Sequence, residues 1–197
     1  MTRATRLPER IEGPDGLLLR RWTVDDADAL GQAIAESVEH LRPWMGWVAE
    51  EPVPIERRRA RIGEWNRGWE QGGDVFLGVF LADRIVGGCG LHRSIGPGGL
   101  ELGYWIHTGF VRRGLATEVA RLLTDAALAL PEITRVEIHH DKANASSAGV
   151  PRKLGFELLG EQADEPEAPA ELGIECRWRM SERGAADPRR RVDAPPN

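Results

Sequence analysis

The chain holds only two cysteines, Cys89 and Cys176, far apart and with no CxxC pair. That argues against a disulfide framework or a zinc site and leaves two reduced core thiols as the expectation; no metal is expected. Long apolar runs are missing too, so no stretch reaches the length of a membrane span. The opening residues, MTRATRLPERIEGPDG, lack the apolar core of a secretory signal. Lysine is nearly absent, Lys142 and Lys153 being the only two, and the net charge is -5. A general nucleic-acid binder needs a basic face, so that class is set aside. These absences describe a cytoplasmic protein with no membrane partner.

What is present suits one globular domain. The chain has 197 residues, 41% of them hydrophobic, enough for a single core. One domain over residues 1–182 is expected, with residues 1–16 loosely held and a disordered tail over 183–197. Leu17 to Arg21 reads as a first strand. Thr23 with Asp26 has capping-box spacing, and Ala27, Leu30, Ile34 and Val38 follow at helical spacing to about Glu39. A second helix carries Ile55, Ile62, Trp65 and Trp69 on one face, with the arginines of ERRRAR on its solvated side. Asp74–Leu81, Ile85–Leu91 and Leu100–His107 form a meander of strands. A long helix from Gly114 to Leu130 stops before Pro131, and a strand over Arg135–His140 completes a parallel crossover. A short helix carrying Pro151 and two final strands, Phe156–Leu159 and Ile174–Met180, close the α/β (α+β) layout.

The richest stretch is GYWIHTGFVRRGLATEVARLL, from Gly103 to Leu123. A strand hands over to a helix through a basic, glycine-containing bend. Free N–H groups and the positive end of the helix dipole make such a start an anion site. Gly114 and Ala116 let a bulky anion approach the main chain, and Arg112 and Arg113 add charge at its rim. The bend is not a P-loop, since GxxxxGK[ST] is absent. GGCGLHR (Gly87–Arg93) is not a dinucleotide fingerprint either, since its last position is Arg93 and a strand follows.

In this bend and its neighbours the sequence resembles the GNAT superfamily of acyl-CoA N-acyltransferases, in its RimJ/RimL-type, ribosomal-protein branch. The family motif [QR]-x-x-G-x-[GA] falls on Val111-Arg112-Arg113-Gly114-Leu115-Ala116, with Val111 departing at the first position and Thr117-Glu118 following. GYWI, NASS, KLGF and LRPWM match in order and spacing, so the likeness spans about residues 8 to 182. The resemblance implies the GNAT fold, a mixed and mostly antiparallel sheet of about seven strands flanked by about four helices. It implies acetyl-CoA as donor, its pantetheine against Trp105, Ile106 and His107 and its pyrophosphate on the amides of Arg112 to Thr117. It also assigns Asn144 and Ser147 to the cofactor arm, and a homodimer.

The implied reaction is acetyl transfer to a primary amine by direct attack in a ternary complex. A protonated amine needs a base, and Glu101 at the start of the strand is the first candidate, with His92 and His107 as alternatives. The oxyanion needs a donor, such as an N–H of the Trp105–His107 strand. Many family members protonate the thiolate with a tyrosine four residues before the Gly-Phe of the later helix. Pro151 stands there, so Ser147 or water is left for that role. Trp44 and Trp47 are expected in the acceptor pocket, and Trp65 and Trp69 in helix packing. The loop GEQADEPEAPAELG is expected to be solvated and mobile, and able to draw in a cationic amine. The acceptor stays open between a protein α-amine and a small amine, and a non-catalytic acyl-CoA-binding module remains the third reading.

Overall fold

A computed structural model describes residues 6–181 of the chain. The tail expected over 183–197 lies outside the described residues. Eight strands form one sheet in the order β1-β2-β3-β4-β5-β6-β8-β7. They are β1 (Arg10–Glu12), β2 (Leu17–Arg21), β3 (Val75–Leu81), β4 (Arg84–His92), β5 (Gly99–Ile106), β6 (Arg135–Asp141), β7 (Glu157–Ala163) and β8 (Ile174–Ser181). All neighbours are antiparallel except β5 and β6. Five helices accompany them: α1 (Ala27–Ala35), α2 (Val38–Leu41), α3 (Ile55–Glu70), α4 (Leu115–Leu128) and α5 (Ala145–Leu154). Among the described residues no helix is long and apolar enough to cross a membrane.

The sheet buries both faces. Leu77, Val79, Val86, Val136 and Ile138 pack with Val119 and Leu123 of α4 on one side. Trp22, Phe80 and Ile85 pack with Leu30, Ile34 and Ile62 of α1 and α3 on the other. Trp65 stacks on Phe76 with centroids 4.9 Å apart, and Trp69 is buried, as their helical spacing predicts.

Four expectations are corrected. The segment before Gly16 is not loose throughout: β1 adds to β2, Arg10 opposite Arg20, and Leu7 joins the core. Three residues are too few for an alternation to show. The first helix does not run through to Glu39, because Glu36 and Ser37 separate α1 from α2 and turn their side chains toward His107 and Thr108. The ERRRAR run is not wholly solvated. Arg58 is 6% exposed and binds Glu51 through both guanidinium nitrogens, at 3.1 and 2.8 Å. Finally, the acidic loop is pinned: Asp141 Oδ2 accepts from the N–H groups of Leu172, Gly173 and Ile174, and Ala170 N–H donates to Pro43 O.

Thr23 and Asp26 form the reciprocal capping box, and Arg20 grips Asp26 at 2.8 and 2.7 Å. Burial favours the neutral acid, yet the bonds from Arg20 and Thr23 prevail and hold the Asp26 carboxyl below its ordinary value. The stability it contributes is present above that ordinary value and is lost as pH falls through the lowered one. Asp26→Asn should cost about 1–3 kcal/mol in urea unfolding at pH 7, with a smaller deficit near pH 3. Arg58→Ala, which strands the Glu51 carboxylate in the interior, should cost about 3–5 kcal/mol by the same measurement.

Candidate active site

β5 and β6 pair at only three positions, Gly99 with Arg135, Leu100 with Val136, and Glu101 with Glu137. Beyond these, β5 continues to Ile106 and β6 to Asp141, so the two strands part and leave facing edges unpaired. The main chain of β5 alternates between its two neighbours. Trp105 O lies against Gly87 of β4, where an added Cβ would come within 2.3 Å of it, and His107 N–H donates to Val86 O at 2.9 Å. Tyr104 and Ile106 therefore turn their N–H and C=O groups into the wedge. Of the strand residues expected to meet a cofactor, Ile106 offers its main chain there, whereas Trp105 and His107 spend theirs on β4.

A cavity of about 710 Å³ follows the wedge, lined by Glu101, Tyr104, Trp105, Asn144 and Ser147 among others. Gly88 leaves room for the Trp105 indole, whose Nε1 would lie 2.6 Å from any Cβ placed there. This close approach accounts for a glycine in the β4 run that fits no nucleotide fingerprint.

The bend lies at the end of β5. Left-handed Arg112 (φ 62°) and Gly114 (φ 80°) flank Arg113, a curl that gathers successive N–H groups on one side. Glu118 N–H finds Gly114 O at 3.1 Å. Among the described residues no hydrogen bond engages the N–H groups of Val111, Arg112, Arg113, Gly114, Leu115, Ala116 or Thr117. Holding a non-glycine residue such as Arg112 in this region costs about 1–3 kcal/mol, so the surroundings must hold it. Arg113 is tethered to Gly109 O at 3.1 Å and lies over the Phe110 ring.

His107 steadies the approach to this bend. Its Nδ1 accepts from Gly109 N–H at 3.0 Å, so the proton sits on Nε2, which donates to Glu36 at 2.9 Å. Ser37 Oγ accepts from Thr108 N–H at 3.1 Å. Both ring nitrogens are engaged, so His107 has no lone pair left for a substrate.

Glu101 and Tyr104 are three residues apart and so project from opposite faces of β5. Glu101 accepts from Ser94 Oγ at 2.5 Å, and its other oxygen is 3.8 Å from His139 Nδ1. His139 Nε2 lies 2.9 Å from Glu137 and its Nδ1 3.2 Å from Glu175, a gathering of carboxylates around one imidazole that the sequence did not suggest. His92, opposite Glu101 on β4, places Nδ1 3.0 Å from Asp74, and its Nε2 lies over Gly90 and Gly103. Burial raises the Asp74 carboxyl, but the Arg93 N–H and the His92 ring outweigh it and hold the group below its ordinary value. Trp44 and Trp47 line the cavity, Trp47 against Trp105 with centroids 6.3 Å apart. Glu165, Glu167 and Glu171 also line the cavity, Glu167 lying against Gly46 beside Trp47, with Glu171 accepting from Glu167 and Ala168 N–H groups.

Asn144 has a local duty that the sequence reading did not assign: its Oδ1 accepts from Ser147 N–H at 3.0 Å and caps α5. The NASS spacing carries this signal, because asparagine is a favoured cap. α5 starts at Ala145 rather than late, and Pro151 sits inside it. Asn144→Ala should cost about 1 kcal/mol in chemical unfolding and Asn144→Asp should keep most of it.

With this geometry in view, comparisons with known proteins agree. Residues 16–157 match the acetyltransferase (GNAT) domain model. A Bacillus subtilis (strain 168) protein named "Putative ribosomal N-acetyltransferase YdaF" is 28% identical over 150 residues, covering 75% of this chain and 81% of its own. The solved structure of RimL, a ribosomal L7/L12 alpha-N-protein acetyltransferase in complex with coenzyme A, superposes with TM-score 0.78 at 20% identity, covering 88% of this chain and 98% of that one. The microcin C7 self-immunity acetyltransferase MccE, in complex with acetyl-CoA and AMP, superposes with TM-score 0.77 at 17% identity over 86% and 97% of the two chains. The parted strands, the bare amides and the matching domain lead to one conclusion: the chain belongs to the GNAT acetyltransferase family and is an N-acetyltransferase.

Proposed function

We propose that this enzyme takes acetyl-CoA as its donor and acetylates the α-amine of a protein or peptide N-terminus, as ribosomal-protein N-acetyltransferases do. The observation that carries this reading is the continuity of the wedge with the bend. An open strand edge with amide-pairing groups leads straight to seven unengaged N–H groups. That set fits a pantetheine arm followed by a pyrophosphate, the one needing strand-like pairing and the other an anion nest. Tyr104 and Ile106 offer main-chain pairing to the arm, and Arg112 to Thr117 hold the diphosphate. Asn144 keeps Nδ2 for the arm while Oδ1 caps the helix. Acetyl-CoA supplies the activated acetyl group.

Glu101 is the proposed base, facing the α1 and α3 side from which Trp44 and Trp47 close the acceptor pocket. The N–H groups turned into the wedge are suited to hold the oxyanion. His92 with Asp74 is a second candidate base, because Asp74 orients Nδ1 and leaves Nε2 toward the cavity. A covalent acetyl-cysteine is not part of the reading, since burial pushes the Cys89 thiol well above its ordinary value. The acidic wall favours a cationic amine over an anionic acceptor. A homodimer and a cytoplasmic site of action complete the proposal.

A thiol-release assay with N-terminal peptides, amino acids, polyamines and aminoglycosides tests it. Peptide-selective turnover is expected; turnover restricted to small amines moves the acceptor class, and tight coenzyme binding without turnover returns the binding-module reading. Glu101→Gln should lower kcat/KM by about 100-fold or more and remove its acid limb, while His92→Gln leaves that limb in place. The reverse pattern assigns the base to the His92–Asp74 pair.

A further inference from the structure

Tyr104 is the chain's only tyrosine, and its hydroxyl reaches across the wedge to α5. It lies 3.1 Å from Ser147 Oγ and 3.4 Å from Ser147 O. That carbonyl is open because of Pro151. In an α-helix the N–H of residue 151 would bond to the carbonyl of residue 147, but proline has no N–H and its ring pushes that carbonyl aside. A sequestered carbonyl without a donor is costly, and the Tyr104 hydroxyl is placed to supply one. A carbonyl can only accept, so the phenol is the donor to it, and its one proton is shared with Ser147 Oγ at 3.1 Å. Burial pushes the phenol up to about 12, so it keeps its proton. The Ser147 N–H is already held by Asn144 Oδ1. Ser147 is thus fixed at both ends, and its own O–H is left to the cavity it lines.

We propose that Tyr104 is a positioning residue for acetyl transfer: by sharing its one proton between the carbonyl and hydroxyl oxygens of Ser147 it directs the Ser147 O–H into the cavity, toward the departing sulfur. This rests on the acetyl-transfer reading above. The amine nitrogen forms a bond to the acetyl carbon, and the C–S bond breaks with its electron pair on sulfur. The proton the amine gives up passes to its base and, through water, one proton reaches the thiolate. Ser147 donates a hydrogen bond to the negative sulfur meanwhile and keeps its proton.

Two double-mutant cycles test this. In the first, read by thermal unfolding without any substrate, Tyr104→Phe should lower Tm by about 2–4 °C. In a Pro151→Ala background, where a main-chain N–H serves the Ser147 carbonyl, the cost should fall to less than about half. In the second, read by thiol release, Tyr104→Phe should lower kcat about 10-fold with the acetyl-CoA KM within about twofold, and should add little in a Ser147→Ala background. Pro151→Ala should restore Tm to Tyr104→Phe without restoring kcat. Equal Tm costs in both backgrounds, multiplying kcat losses, or a change in KM alone would overturn the proposal. Should the wild type turn over no acceptor, the acetyl-transfer reading falls first, and with it the catalytic half of this one, while the thermal cycle still decides the hydrogen bond.

Discussion

Everything the site does depends on two parallel strands that stop pairing too soon. β5 and β6 are joined through Glu101 and Glu137 and then separate. In a closed sheet the main-chain groups beyond that point would be spent on each other. Here they face a cavity, in a protein where unpaired buried N–H and C=O groups are rare. The gap is a deficit in the fold, and a ligand with amides of its own is the natural way to make it good.

Such a gap persists only if its flanks are held apart. On the β5 side the holding groups are Glu36, Ser37 and His107, which tie the end of α1 to the turn before the bend. On the β6 side Asp141 gathers three consecutive N–H groups of the acidic loop and one from Ala143. Across the top, the buried pair of Arg58 and Glu51 anchors the segment that carries Trp44 and Trp47. These are polar contacts between residues far apart in the chain. They contribute position, and the apolar packing on both sheet faces contributes most of the stability.

The fold was legible where the pattern was strong. The apolar stripe of α4, the meander β3-β4-β5 and the capping box at Thr23 all read directly from spacing. The turn into α4 was legible because Gly114 falls just before the apolar stripe of that helix. What could not be read was pairwise and distant. Nothing in ERRRAR distinguishes Arg58 from its neighbours until Glu51 folds against it, and no local pattern separates Glu171, which ties its own loop, from a free acid. Tyr104 stood in plain view within GYWI. Its significance required knowing that Pro151 would lie across from it, a fact of tertiary structure. Likewise, which residues of β5 face the wedge depends on the register with β4, and the sequence does not state a register.

The bend's grip has a further consequence for how such a protein changes over time. Backbone amides are supplied by nearly every amino acid alike, so most replacements along Val111 to Thr117 leave the cradle's chemistry untouched provided Gly114 keeps its left-handed turn. Lineages can then drift widely in letters while retaining the same curl of main chain. Superposition of whole folds that share no more than a fifth of their residues is compatible with that freedom.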